Sequence, residues 1–288
     1  MASVALNSTE VEVLSFETLQ GNCYFQPSRR TNVKEKELSS TEARRTLGRI
    51  DPSRIKSWDI ARPDPGLLER LRAITDPTPT ISDVFDNLGI VGRVVGAGVL
   101  RPTIPSAVIV GPAVTLRNAL LCDGKSVLER AKSKVIKQAE IEAHNLSRPG
   151  DVLVIDGVKE FSNMGGISAD IARRQGTLGA IVSGGIRDVE HGRNTAFPFW
   201  SSERTPVTGK YRLETVEING TIEIFGCVVA PGDIVVADSS GVCFIPHEKL
   251  LTVVEACEAT VTIEAQRVAE IHRGSSFQEV FAGALNGN

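Results

Sequence analysis

The stretch that most constrains this chain runs from residue 148 to 193, RPGDVLVIDGVKEFSNMGGISADIARRQGTLGAIVSGGIRDVEHGR. Two short runs in it, DVLVID (151–156) and LGAIVSGG (178–185), are apolar almost without alternation. A strand reads that way when both of its faces are buried. Between them GISADIARRQG (166–176) carries apolar residues at helical spacing and stops at Gly176. Strand, helix and strand in this order require an α/β fold. Downstream, AFPFW (196–200), TVEIN (215–219), TIEIFGCVVA (221–230) and DIVVADSSGVCFIP (233–246) read as strands, and residues 248–271 as one long helix.

Upstream, GLLERLRAI (66–74) has helical spacing, and TISDVFDNL (80–88) has the form of a helix capped by Thr80 or Ser82, with Asp83 in its first turn. AVIVGPAVTLR (107–117) predicts a strand broken at Gly111-Pro112. Residues 125–144 read as helical, with charges at Lys125, Glu129, Arg130, Lys132, Lys134 and Lys137 that form either a solvated face or a lid over an anionic substrate. RPGDVLVIDG (148–157) echoes APGDIVVADSSG (230–241), which predicts two similarly built turn-and-strand units whose aspartates bond backbone donors. Residues 1–55 are polar and include the charge-dense run 29–45. They read as an extension, mobile or binding a partner, ahead of a domain over 56–288 whose compact part begins near Pro63.

Several function classes fall away. A net charge of −3 and 5% aromatic residues leave neither a basic field nor a stacking surface for nucleic acid. No run is long and apolar enough for a membrane span, and the N-terminus has no basic region of the secretory kind, so the expected location is cytoplasmic. Five cysteines without a C-x-x-C pair argue against a disulfide framework or a zinc knuckle, and Cys227 and Cys243 read as buried thiols. Gly96-Ala97-Gly98 lacks the rest of a dinucleotide fingerprint, with Arg at 101, and no G-x-S-x-G occurs. The histidines at 144, 191, 247 and 272 are scattered and read as surface or loop residues, His191 drawing more interest for its place near Asp188.

The segment from Asn163 to Arg193 is the best candidate site. Gly165 and Gly166 free backbone N–H groups at a helix start, a natural seat for a carboxylate. The following strand exits at Arg187, whose planar fork suits a carboxylate or enolate, and at Asp188, a hard oxygen ligand for Mg²⁺ or Mn²⁺. A plain turn with a surface ion pair fits the same residues.

TISDVFDNLG, VGPAVTLRN, RPGDVLVIDG, MGGISADIARRQGTLGAIVSGGIRDVEH, FPFW and PGDIVVADSSGVCFIP occur in that order. Over roughly residues 65–275 the chain resembles the RraA-like family, which holds regulators of ribonuclease E and class II pyruvate aldolases such as 4-hydroxy-4-methyl-2-oxoglutarate aldolase. The resemblance implies a swivelling β/β/α-type α/β domain with a mixed central sheet, assembled as a homotrimer or homohexamer with sites at subunit interfaces. It implies that Arg187 binds the pyruvyl group, Asp188 the divalent metal, and the amides of Ile167 and Ser168 the pyruvate carboxylate. A glutamate on a neighbouring subunit's C-terminal helix would support the metal, and Glu264 is the nearest match. The chain departs from the family at Gly166, where the aldolases carry an acid. The implied activity is metal-dependent cleavage of a 4-hydroxy-2-oxo acid to pyruvate, with water or hydroxide near the metal as base and with oxaloacetate decarboxylation as a side reaction. Two alternatives stand beside it: a hydratase, dehydratase or isomerase of a hydroxy acid, for which Gly166 opens room, and a non-catalytic regulator of a ribonuclease-type partner.

Overall fold

Strand β3 (Ile109–Leu120) organises the domain in the computed structural model, which describes residues 46–285. Along one edge β3 pairs in parallel with β4 (Val152–Asp156), which leads on through β6 (Ala180–Ile186) to β7 (Phe199–Arg204), all parallel. Along the other it pairs antiparallel with β11 (Ile234–Ala237), followed by β12 (Gly241–Ile245) and β1 (Val94–Gly96). The short β2 (Arg101–Pro102) closes the β7 edge, β5 (Ser162–Met164) lies parallel to β6, and β8 (Leu213–Ile218) joins β3. The mixed central sheet expected from the sequence is therefore present, with ten strands, and β9 (Ile222–Ile224) and β10 (Cys227–Val229) form a separate hairpin.

The apolar runs are continuous because both faces of the sheet are covered. From β4, Leu153 and Ile155 pack with Ala143, Ala169 and Ala172 on the helical side, while Val152 and Val154 pack with Ile222, Ile224 and Val229 on the strand side. The helical side is built by α4 (Glu140–Leu146) and α5 (Gly166–Arg174). A third cluster seals α1 (Pro65–Arg72), α2 (Pro77–Leu88) and α7 (Leu250–His272) onto β11 and β12 through Leu71, Phe85, Val236, Cys243 and Val253. No helix among the described residues is long and apolar enough to cross a membrane.

The echoed turns are built alike. Gly150 and Gly232 both take φ +92, a value that suits glycine. Asp151 accepts from Arg148 N–H at 2.7 Å and Asp233 from Ala230 N–H at 3.0 Å, so each aspartate closes its own turn. The turns lead into β4 and β11, the two strands that flank β3.

Several local expectations are corrected. The helix expected at 80–88 starts a turn earlier, at Pro77, a residue suited to the first helical position. Its free N–H at Thr78 is capped by Asp238 from a distant loop, at 3.0 Å, and not by Thr80 or Ser82. Gly111-Pro112 does not break β3. Pro112 lies opposite Ile234, one residue before β4 joins, where a missing N–H interrupts little, and Gly111 leaves room for the Gly150 carbonyl.

Residues 125–144 are not one helix. Lys134 turns left-handed (φ 55) and separates α3 (Val127–Ser133) from α4. Arg130 is buried, held by Asp123 at 2.7 Å and by the carbonyls of Leu121 and Tyr211.

The charge-dense run 29–45 lies outside the described residues. The chain joins the domain before residue 56, because Ile50 and Ile55 are core residues and Ile55 bridges to Ile218. Buried Glu142 draws this segment down, accepting from the N–H of Leu47 (2.8 Å) and of Arg49 (2.7 Å).

Candidate functional site

The Gly165-Gly166 turn joins β5 to α5 beside the exit of β6, and Arg187 and Asp188 follow β6 directly. The candidate residues thus meet at the carboxyl ends of parallel strands, the usual place for ligands in α/β sheets. Asp188 adopts a left-handed backbone (φ 56) and begins α6 (Val189–Asn194). Its Oδ2 accepts the Gly166 N–H at 2.9 Å, and the Arg187 Nε lies 3.4 Å away. Both side chains stay partly exposed. The N–H groups of Ile167 and Ser168 open the first turn of α5, where a helix supplies no acceptor, and they have no partner among the described residues.

Asn163 is structural. Its amide donates to the carbonyls of Val158, Phe161 and Gly185 and accepts from Val158 N–H, which knots the 158–161 loop to β5 and β6. Gly184, at φ +148, lies where a Cβ would strike that amide at 2.6 Å.

The turn separates two clefts. One, of about 470 Å³, is lined by Gly166, Ile167, Asp188, Val189, Glu190 and His191. His191 Nε2 lies 2.9 Å from an Asp170 carboxylate oxygen. The other, of about 280 Å³, contains Arg187, Gly165, Ile167, Ser168, Glu140 and Arg49 in its walls.

The sequence reading missed three groups here. His144, expected at the surface, is fully buried, and its Nε2 lies 2.8 Å from the Ser168 Oγ. Burial holds it neutral by pulling its pKa down to about 4. Ser168 therefore turns its hydroxyl to the core. Glu140, half-buried, has its carboxyl pushed up to about 7 by burial, against the pull of its own amide, Arg49 and Arg187. Arg49 comes from the presumed extension. The signal available in the sequence was E-I-E-A-H, a helical repeat that puts two acids and a histidine in one short helix.

Glu264 is not gathered with these residues in the single chain. It is exposed on α7, which packs chiefly against α1 and α2. Among the described residues no three His, Cys, Asp or Glu side chains cluster as a metal cage. What the site offers is the accessible Asp188 carboxylate in an open cleft, beside a Glu190 carboxylate that is paired with Arg193. That fits Mg²⁺ or Mn²⁺, hard ions that keep several waters and take one or two protein carboxylates, and does not fit a closed zinc-type site.

The chain belongs to the RraA-like family, described as Aldolase/RraA, which matches residues 78–244. It is 29% identical over 217 residues to protein DlpA of Legionella pneumophila, covering 75% of this chain and 33% of that protein. The chain thus spans about a third of the length of this relative. It is 29% identical over 174 residues to a Halalkalibacterium halodurans protein provisionally named 4-hydroxy-4-methyl-2-oxoglutarate aldolase, covering 60% of this chain and 73% of that one. Its fold is similar to that of Streptomyces coelicolor RraAS2, described as an unusual member of the RNase ES inhibitor RraA family, at a TM-score of 0.59 and 23% identity, covering 75% of this chain and 99% of that one. The family holds both aldolases and RraA proteins.

Gly166 can be tested directly. Its φ is not in the left-handed region, so a side chain brings no torsional strain, and an added Cβ would sit 3.3 Å from the Asp188 Cβ and 2.9 Å from the half-exposed His191 ring. Residue 166 therefore faces Asp188. Gly166→Asp is expected to raise Mg²⁺ affinity by placing a second carboxylate beside the first, and to cost about 1 kcal/mol without the ion through like-charge repulsion and displacement of His191. Titration calorimetry together with melting in Mg²⁺ and in chelator reads both effects. A folded variant with unchanged or weaker Mg²⁺ binding contradicts this placement.

Proposed function

We propose that the protein is a divalent-metal-dependent carbon–carbon lyase that cleaves a 4-hydroxy-2-oxo acid to pyruvate and a second carbonyl compound. The observation that carries this reading is the convergence on one cleft of Arg187 and two amides without a partner among the described residues, with the Asp188 carboxylate across a glycine turn. The amides of Ile167 and Ser168 suit the substrate carboxylate, aided by the positive end of α5. Arg187 suits the 2-oxo oxygen, on which negative charge grows as the C3–C4 bond breaks and pyruvate leaves as its enolate. Donors already aimed at that oxygen stabilise the transition state more than the ground state. Asp188 and, from a neighbouring copy, Glu264 are the residues proposed to hold Mg²⁺ or Mn²⁺. Such an ion, when bound, supplies positive charge that makes the enolate a better leaving group.

The site is proposed to be completed in a homotrimer or homohexamer. Ile167, 77% exposed at the mouth of both clefts, is an apolar surface that a second subunit would cover. A monomer by light scattering at micromolar concentration contradicts this assembly. The function itself is tested by pyruvate release from a panel of 4-hydroxy-2-oxo acids and from oxaloacetate, with Mg²⁺ and with chelator. Metal-dependent release is expected. Turnover that survives chelation removes the metal role, and no release from any member removes the lyase reading in favour of a regulator.

A further inference from the structure

The smaller cleft has a wall made by segments the sequence reading had set aside. Gln138 is buried and donates to the carbonyls of Ser162 (3.3 Å) and Asn163 (2.8 Å), and Ala139 N–H donates to Thr215 Oγ1 at 2.8 Å. These bonds lock the start of α4 against β5 and β8, and Glu140 is the first residue of that helix. From the opposite direction the carboxylate of Glu142 fixes the backbone of Leu47 and Arg49, which brings Arg49 into the same wall.

Glu140 is thus held by its backbone, and its carboxyl is engaged by its own amide and by no other side chain among the described residues. Arg49, Arg187 and Lys210 all line the cleft with it, and among the described residues none forms an ion pair or hydrogen bond with it. Surface carboxylates near arginines normally pair, as Asp156 does with Arg117 at 2.9 Å and Glu258 with Arg70 at 2.6 Å. A half-buried carboxyl left unpaired among three cations, facing the amides proposed for substrate, is placed for a ligand. Glu140 is the one carboxyl among the residues that line this cleft.

We propose that Glu140 is a catalytic acid–base of this cleft, carrying one proton from the C4 hydroxyl of the bound 4-hydroxy-2-oxo acid to C3 of the departing pyruvate. This rests on the lyase reading above. The Glu140 carboxylate takes the hydroxyl proton, the C4–O electrons form the new carbonyl, and the C3–C4 pair moves into the enolate. The second product leaves, and the Glu140 carboxyl returns the same proton to C3, giving pyruvate. Atoms and charge balance with no further reactant. A carboxyl with a pKa near 7 serves both steps at neutral pH, accepting in one and donating in the other. The charged groups that line the cleft with it are Arg49 from the N-terminal segment, Arg187 after β6 and Lys210 after β7.

The test uses the full chain with Mg²⁺ and two readouts. One is pyruvate release from the acid panel. The other is exchange of pyruvate methyl protons with deuterated water, followed by NMR, which needs proton transfer at C3 but no bond cleavage. Glu140→Gln is expected to slow both by at least about a hundredfold, with KM changed by no more than about threefold, and to remove the ionisation near neutral pH from the kcat profile. Glu140→Ala, equally slow, is expected to regain part of its exchange rate with added formate. Exchange in Glu140→Gln within about threefold of wild type overturns the proposal, as does a formate effect equal in wild type and variant. If the wild type exchanges protons but cleaves no member of the panel, the lyase reading fails while the exchange data still judge Glu140. If the wild type does neither, both fall.

Discussion

Asp188→Asn is expected to reduce Mg²⁺-dependent pyruvate release at least about a hundredfold while leaving the fold intact. The two effects separate because Asp188 has two tasks. Its Oδ2 accepts the Gly166 N–H at 2.9 Å and so closes the start of α5, and its charge faces the larger cleft. Asparagine keeps an acceptor oxygen in the same place, and it is among the few residues that tolerate a left-handed backbone such as φ 56. The stability cost should therefore stay near 1 kcal/mol, the difference between a charged and a neutral acceptor at a helix start. Alanine would lose acceptor and backbone preference together, so it cannot separate the roles. Mg²⁺ titration, turnover and melting on the asparagine variant decide the matter. A variant that keeps wild-type turnover shows that the Asp188 charge takes no part in the chemistry.

Glu140 and His144, one turn apart on α4, should give the folded domain opposite responses to acid. Burial raises the Glu140 carboxyl from 4.5 to about 7, so the folded state binds more protons than the unfolded chain between those values. Its contribution to stability is present below pH 4.5 and is lost as pH rises through 7. Burial lowers His144 from 6.5 to about 4, so there the unfolded chain binds more protons. Its contribution is present above pH 6.5 and is lost as pH falls through 4. Each shift corresponds to about 3 kcal/mol, and in the wild type the two largely cancel between pH 7 and 4.5.

Replacing one group exposes the other. Relative to wild type, Glu140→Gln should be more stable at pH 7, an advantage that disappears toward pH 4.5. His144→Gln loses its Ser168 contact at every pH, but its deficit should shrink as the pH falls from 6.5 to 4. Urea unfolding at a series of pH values gives the two difference curves. Parallel curves would show that neither group is titrated as its burial requires. A stabilising Glu140→Gln substitution that also slows the reaction would be the familiar exchange of stability for activity at a functional carboxyl.

Much of this molecule is legible in local sequence. DVLVID and LGAIVSGG announce buried strands because a strand covered on both faces leaves no polar alternation to see, and β4 and β6 are covered in that way. Gly176 ends α5 at φ +83, and the repeated Pro-Gly-Asp turns take the same glycine conformation, because both depend on a few adjacent torsions. Arg187 and Asp188 stand next to each other in the chain, so their meeting with the Gly165-Gly166 turn needs only that β5 and β6 be neighbours.

The features that the sequence hid are those set by contacts across long separations. Asp238 caps Thr78 from 160 positions away, and Glu142 holds Leu47 from 95. A polar N-terminal segment looks like an appendage until a buried carboxylate accepts its amides. A run of charges looks like one continuous helix until Lys134 splits it, and one of those charges, Arg130, is buried. His144 and Glu140 give no local sign of their environment, because desolvation is a property of everything packed around a group and not of its neighbours in the chain. Local torsions and strand burial were therefore written in the sequence, whereas the ionisation of the cleft and the identity of its second wall were decided only when the tertiary structure chose which distant groups would share a space without water.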